Sequence, residues 1–467
     1  MNLPPLEVDY LIIGSGAVGM AFADVIFHET KSSILIVDKH HGPGGHWNDA
    51  YPFVRLHQPS AYYGVNSRKL GGDSKDPHHL NLGMCERATS AEIVSYYENI
   101  MQVFLASDRV QYFPMNEVDV SNPKNYSFKS LMTGAQRQVL VRKKVVDTTY
   151  LNTAVPSTHP PQYAIGSGVH CMPLNDLPRV KRPPSGYVVI GAGKTGIDAC
   201  LWLLENQILP DKICWVMPRD SWFQNRANVQ PGEEFFMQTY GAFAAQMQAI
   251  AQAESIPDLF VKLEASDQML RLDKTVQPSM YHGAVVSHGE LHALRQIKNI
   301  VRMGRVKSID VTQMVLEHGT MPMDAERLVV DCSASAVQLR PIVPVFEGNR
   351  ITPQFVRAFQ PTFSAALIAH VEAHYDDDAT KNQLCAVIPL PDKPVDWLSL
   401  LGVTMANRYR WSKDERLSQW IVQSRLDAFT AMAKNVKPTE TQKLMVLQRY
   451  SENAKLAVGK IQKLLLA

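Results

Sequence analysis

Gly14-Ser15-Gly16-Ala17-Val18-Gly19 and Gly191-Ala192-Gly193-Lys194-Thr195-Gly196 are the stretches whose residue types and spacing point most directly to chemistry. Both have the G-x-G-x-x-G spacing that cradles a dinucleotide pyrophosphate. The first glycine permits a tight strand-to-helix turn, the second lets the backbone approach the phosphates, and the third lets the helix pack on the sheet. The helix that follows offers free N–H groups and the positive end of its dipole. Beyond the first turn, Asp38 stands 24 residues after Gly14, where a carboxylate can accept from ribose hydroxyls, with Lys39 beside it. Beyond the second turn no acid takes that place, and the chain reads Trp215-Val216-Met217-Pro218-Arg219-Asp220. Arg219 suits a ribose 2′-phosphate, which an acid would repel. The other readings of Arg219 are a surface arginine or one neutralised by Asp220. Lys194 either adds a phosphate contact or lies on the solvated rim. The order G-x-x-x-x-G-K-[ST] is absent, which disfavours an NTPase.

The elements that must position these turns are legible. Val8 to Ile13 is an apolar run ending at Gly14, a helical segment follows to about Glu29, and Ile34 to Val37 is a second apolar run closed by Asp38. The pattern recurs at Gly186 to Ile190, a helix to about Asn206, and Ile213 to Met217. Pro156, Pro160, Pro161, Pro173, Pro178, Pro183 and Pro184 precede the second unit, as in an inter-domain connection. Gln230 to Met303 reads mostly helical. Arg327 to Val330 reads as a strand ending at Asp331, and Thr362 to His374 as a helix. The tail is helical from about Ser412, and its basic amphipathic end, Lys443 to Leu466, packs on the domain or lies on a membrane surface.

The expected fold is therefore α/β, with two Rossmann-like dinucleotide-binding domains, a helical insertion and a helical C-terminus. Residues 1–155 and 326–467 form one domain. Residues 156–325 form a second inserted into it, with a helical insertion at about 230–303.

A chain of 467 residues exceeds what one core usually serves, and its net charge of +2 gives no reason to expect nucleic acid. No segment has the length and apolarity of a membrane span, and the first strand begins at residue 8, so a cytoplasmic protein is expected. Cys85, Cys171, Cys200, Cys214, Cys332 and Cys385 include no C-x-x-C and read as free thiols. The histidines form short pairs such as His40-His41 and His78-His79, and no metal site is expected.

Two cradles 177 residues apart, the first near the N-terminus, resemble the flavin-containing and Baeyer–Villiger monooxygenases. Gly44-Gly45-His46-Trp47-Asn48 looks like that group's G-G-x-W stretch near the flavin. Tyr51-Pro52-Phe53-Val54-Arg55-Leu56-His57 looks like its Y-P-G-x-R-C-D segment, with His57 in place of the aspartate. The resemblance covers residues 8 to 375. It departs between the cradles, where the group has F-x-G-x-x-x-H, a hydroxyl residue and an aromatic. Here Gly166 and His170 keep the spacing, but the phenylalanine, the hydroxyl residue and the aromatic are missing. His170 either holds the domain interface or sits satisfied in the core. The disulfide reductases share the two-cradle plan but need a redox cysteine pair, which is absent.

The resemblance implies FAD at Gly14, Ser15, Gly16, Ala17, Gly19, Asp38, Lys39, Gly45, His46, Trp47, Arg55 and His57. It implies NADPH at Gly191, Gly193, Lys194, Thr195, Gly196 and Arg219. The implied reaction is insertion of one oxygen atom from O2 into a small organic substrate through a flavin hydroperoxide. His57 is the expected catalytic residue, placed to hydrogen-bond the reduced flavin and to change charge near neutral pH. Packing or FAD anchoring are its other readings. Two functions remain beside the monooxygenase: an NADPH-linked flavin reductase or oxidase without oxygen insertion, and a nucleotide-binding redox sensor with slow turnover.

Overall fold

The computed structural model describes residues 4–77, 79–122, 125–151, 153–334 and 339–466; His78 of the second histidine pair lies outside them. Strand β1 (Leu6–Ile13) leads through the first glycine turn into α1 (Ala17–Glu29) and β2 (Ile34–Val37). Helix α2 (Ser90–Leu105), β3 (Val110–Phe113) and the long β4 (Gln136–Asp147) follow. The parallel order β4-β1-β2-β3 is that of a Rossmann-like unit. Arg350–Ile351 joins the far edge beside β4, so the chain returns to this sheet late. The Ile-Leu-Ile-Val run of β2 is buried on both faces, as an internal parallel strand requires.

The second sheet is all parallel. It contains β5 (His170–Pro173), β6 (Gly186–Ile190), β7 (Ile213–Val216), β8 (Asn299–Val301) and β9 (Arg327–Asp331), in the order β8-β7-β6-β9-β5. Helix α3 (Lys194–Glu205) connects β6 to β7. Strand β9 corrects the expected boundary at residue 325. Its apolar Leu328-Val329-Val330 is seated between β6 and β5, inside the second unit.

The two glycine turns repeat one geometry. Gly14 (φ +98°) donates its N–H to the Val37 carbonyl at 2.8 Å, and Gly191 (φ +130°) donates to Val216 at 3.0 Å. A Cβ on Gly19 would run into the Gly14 carbonyl oxygen, and one on Gly196 into that of Gly191. A Cβ on Gly193 would meet nothing within 4 Å. The third glycine thus serves packing in both turns, and the second leaves open space at Gly193.

The expected helical stretch 230–303 is helical mainly in its first half, as α4 (Phe236–Gln252) and α5 (Ile256–Ala265). Beyond it, Asp267 takes a left-handed φ, and Pro278 and Gly283 (φ +71°) interrupt any helix. There Met269–Arg271 and Val285–Val286 pair with Trp222–Asn225, and only the short α6 (His288–Leu294) precedes β8. Met247, Met269 and Met280 are buried, whereas Met237 is exposed.

Helix α7 (Pro361–His374) is buried over Thr362–Val371 and packs on α1. The tail is helical earlier than expected: α8 (Asp378–Leu384), α9 (Asp396–Lys413), α10 (Glu415–Gln423), α11 (Thr430–Lys434) and α12 (Thr441–Leu466). Helix α12 packs on α4 and α9, burying Ala457, Ile461 and Leu464. No helix among the described residues is long and apolar enough to cross a membrane, and all six cysteines are free.

Gly196→Ala is expected to cost about 1–3 kcal/mol, because its methyl meets a fixed carbonyl. Gly193→Ala, at φ −85° and facing open space, is expected to change stability by under about 0.5 kcal/mol. Urea unfolding of both variants checks this; equal losses would contradict it.

Candidate active site at the seam between the two nucleotide-binding units

Helix α1 begins at Gly16 with no side-chain cap, leaving its first N–H groups free for an anion. Ser15 and Ala17 are buried within the turn. Asp38 is buried and already well supplied with donors. Its Oδ2 accepts from Ser15 N (2.5 Å) and Oγ (2.9 Å), and its Oδ1 from His40 N (2.7 Å), with His40 Nδ1 at 2.8 Å. Burial pushes its pKa up, but the His40 and Ser15 hydrogen bonds outweigh this and hold the carboxyl below its usual range. Asp38 in turn raises His40, which also reaches Asp49 at 2.9 Å. Any further hydroxyl donor to Asp38 would share it with the Ser15 hydroxyl or the His40 ring. Lys39 is exposed.

Gly45 lies directly on the turn: a Cβ there would stand 2.8 Å from Gly16 Cα, and Gly44 N donates to Ser15 O at 2.9 Å. His46 is tilted against Trp47, with ring centroids 4.9 Å apart, and the indole N–H donates to Tyr63 Oη at 2.8 Å. Burial lowers the His46 pKa to about 4. Arg55 is exposed and donates to the Arg87 carbonyl at 3.2 Å.

In the second unit, α3 begins at Gly193, again uncapped, with Thr195 half-buried. Lys194 is neither on a solvated rim nor aimed outward. Its side chain is 16% exposed and ion-paired with Asp198, one turn along α3. Burial lowers its pKa, opposed by Asp198. Arg219 is not neutralised by Asp220. It binds Asp392 through both terminal nitrogens (2.7 and 3.0 Å), while Asp220 binds Arg302 at 2.7 and 3.0 Å. His170 is exposed at the start of an edge strand, in neither of its expected places.

The segment Tyr51–His57 is the seam between the two units. Tyr51 Oη donates to Asp198 at 2.6 Å, and the Phe53 ring stacks on Trp202 of α3 with centroids 4.8 Å apart. At the other end, Arg226 donates to the His57 carbonyl at 2.5 Å. Arg226 also donates to the Val285 carbonyl and to Glu290 Oε2, both at 2.8 Å. Glu290 accepts from Asn81 at 2.9 Å and faces Arg87 at 3.5 Å. Burial pushes Glu290 up, but Arg226 and Arg87 outweigh it and hold its pKa down at about 2. The Nε atoms of Arg87 and Arg226 are buried with no partner.

His57 lies amid this cluster. Burial lowers its pKa well below the ordinary value, Lys194, Arg226 and Arg87 lower it further, and Glu290 alone opposes them. The ring is half-buried, and its pKa is held below the range in which an unperturbed histidine changes charge near neutral pH.

Sequence reasoning missed Arg87, Arg226, Glu290, Asp198 and the hydroxyl of Tyr51. One signal was available for Glu290. Ser287-x-x-Glu290 is a capping box: Ser287 Oγ accepts from Glu290 N, and Glu290 accepts from Ser287 N. The fold also assembles a set able to ligate a cation, where none was expected. Glu29, His370 and His374 bring one ligand atom each within 4.8 Å. His370 and His374 are one turn apart on α7, but Glu29 ends α1, so only the histidine spacing was visible. His370 Nδ1 and His374 Nε2 lie 2.6 and 2.9 Å from Glu29 Oε2, and Trp420 donates to Oε1 at 2.8 Å, tying α1, α7 and α10.

No protein-family model matches the chain. "Uncharacterized protein Rv2000" of Mycobacterium tuberculosis is 47% identical over 423 residues, covering 90% of this chain and 78% of that protein. "Uncharacterized protein Mb2023" of Mycobacterium bovis matches with the same identity and coverage. The chain belongs to the Rv2000 family. Its fold is shared with solved monooxygenases. The polycyclic ketone monooxygenase of Thermothelomyces thermophila has a TM-score of 0.53 at 10% identity, over 97% of this chain and 90% of that one. A cyclohexanone-bound cyclohexanone monooxygenase has a TM-score of 0.50 at 12% identity, over 97% and 99%. This Rv2000-family chain therefore shares the two-unit α/β fold of these monooxygenases, as the two glycine motifs implied.

A histidine whose pKa is lowered on folding contributes no pH dependence above the unfolded value of 6.5. Below it the unfolded chain takes up a proton that the folded chain refuses, so stability decreases as the pH is lowered. The expected contribution is up to about 1.4 kcal/mol per pH unit. Urea midpoints at pH 7.5 and 5.5 should therefore converge in His57→Gln relative to the unsubstituted chain. An unchanged pH slope would contradict the lowered pKa of His57.

Proposed function

We propose that this chain is a cytoplasmic, NADPH-dependent, FAD-containing monooxygenase that inserts one oxygen atom from O2 into a small organic substrate. The observation that carries the reading is the seam. The segment next to the first cradle is bonded through Tyr51 to Asp198 of α3, whose N-terminus is the second cradle. Nucleotides held by the two cradles would thus meet over residues 51–57. The residues present fit them: both helix N-termini are uncapped, and Gly193 leaves the room a pyrophosphate needs.

Bound FAD would supply the redox and oxygen chemistry and NADPH the hydride. The chain's own part is binding, orientation and exclusion of stray protons. Gly14–Gly19 and Gly191–Gly196 hold the pyrophosphates, and Asp38 takes a ribose. Gly45, His46, Trp47 and Arg55 border the first nucleotide. Arg226 fixes the His57 backbone. The neutral His57 ring can donate one hydrogen bond to a developing negative charge without bringing an acidic proton into the site.

A second reading, reductase or oxidase without oxygen insertion, draws on His170. That position keeps the spacing of the resembling group's inter-cradle motif, yet is exposed on an edge strand.

The test is a balance of NADPH consumed, O2 consumed, peroxide released and product formed by the FAD-loaded protein, across ketone, sulfide and amine substrates. Oxygen uptake exceeding peroxide release supports the monooxygenase. Stoichiometric peroxide with every substrate favours the second reading, and failure to take up FAD contradicts both. His57→Ala is expected to retain FAD while turnover falls or peroxide leakage rises by about tenfold or more. Unchanged rate and coupling would remove His57 from the mechanism.

A further inference from the structure

Arg219 stands three residues beyond the end of β7, at the rim of the second cradle, where a ribose 2′-phosphate is expected. An anion already occupies that rim. Asp392, from the loop preceding α9, accepts from both terminal nitrogens of Arg219. Its Oδ1 also lies 2.9 Å from His282 Nε2. The loop is pinned on both sides: Asp392 N donates to Asp396 at 2.9 Å, and Asp392 O accepts from Tyr281 N at 3.0 Å. The side chains of Arg219, His282 and Asp392 are 35%, 43% and 28% exposed, so a nucleotide arriving from solvent can reach them. Arg302, the other arginine at this rim, is engaged by Asp220 and faces Asp273 at 3.5 Å.

A guanidinium fork receives a carboxylate and a phosphate in the same way, through two parallel N–H bonds. Arg219 and His282 therefore form a two-donor seat for one anion. We propose that Asp392 is an internal stand-in for the ribose 2′-phosphate, filling the Arg219–His282 seat in the nucleotide-free chain and yielding it when a 2′-phosphorylated nucleotide binds. The inference rests on reading the second cradle as the NADPH site.

Two consequences separate this role from simple support of Arg219. A carboxylate that must be displaced weakens a 2′-phosphorylated ligand and leaves its unphosphorylated counterpart nearly unaffected, since only the former competes for the seat. Removing the charge while keeping the shape should therefore strengthen one ligand selectively. A structural prop would act in the opposite sense, because an unsupported Arg219 would bind phosphate less well.

The experiment is isothermal titration of the purified chain with NADP+, NAD+ and the fragment 2′,5′-ADP, for the unsubstituted protein, Asp392→Asn and His282→Gln. Asp392→Ser serves as a second removal of the charge if the asparagine variant folds poorly. Expected is about tenfold tighter binding of NADP+ and 2′,5′-ADP in the Asp392 variant, with NAD+ changed by less than about twofold. His282→Gln is expected to weaken NADP+ several-fold and spare NAD+. An Asp392 variant that weakens NADP+, or shifts both dinucleotides equally, overturns the stand-in and leaves the nucleotide reading intact. If the unsubstituted protein binds neither dinucleotide, the reading of the second cradle fails and the inference fails with it.

Discussion

Arg226 is 2% exposed, and its terminal nitrogens donate to the His57 carbonyl, the Val285 carbonyl and the Glu290 carboxylate. Those acceptors belong to three separate segments, one in the first unit and two in the second. Two charges removed from water repay their desolvation only when the geometry is good and the remaining lone pairs are satisfied. Here Glu290 also accepts from Asn81 and from its own capping serine, and Arg87 adds a second cation. Losing one partner would leave the other buried and unpaired, a cost on the order of 3–5 kcal/mol. This constraint fixes where Tyr51–His57 can lie, and so how the two nucleotide units face each other.

The charge cluster also sets the chemistry open to the seam. Lys194, Arg87 and Arg226 stand against Asp198, Asp76 and Glu290, so the site is highly charged but nearly balanced. Within it the pKa of His57 is held below the ordinary histidine value. A neutral donor beside buried, paired ions suits a reaction in which negative charge develops and loose protons must be kept away. The same pairing recurs beyond the two glycine turns, where Asp38 is bonded to Ser15 and His40, and Arg219 to Asp392.

Much of this architecture can be read from the chain itself. The two glycine turns, their flanking strands and the recurrence 177 residues later are local patterns, and local sterics decide them. The segment Tyr51–His57 stood out because its residue types sit at motif spacing, and the fold places it between the two units. What could not be read was which side chains close the seam. Arg226 and His57 are 169 positions apart, and Asn81 and Glu290 are 209 apart, so no periodicity connects them. Lys194 illustrates a subtler loss. Its position in the glycine turn suggests a phosphate ligand, but the pull of Asp198 one helical turn away decides where its charge goes. The strands between Asp267 and Met303 could not be read because each is only two or three residues long and apolar content alone does not separate them from helix.

Anaerobic mixing of the FAD-loaded protein with NADPH, followed by flavin absorbance, tests most directly whether the seam joins two working nucleotide sites. The unsubstituted chain should bleach in a single phase. Arg226→Lys, which keeps a cation but loses the fork that holds the His57 carbonyl and Glu290 together, should still bind both nucleotides and bleach about tenfold or more slowly. A flavin that stays oxidised in the unsubstituted protein, or an Arg226→Lys variant that is reduced equally fast, would contradict the account.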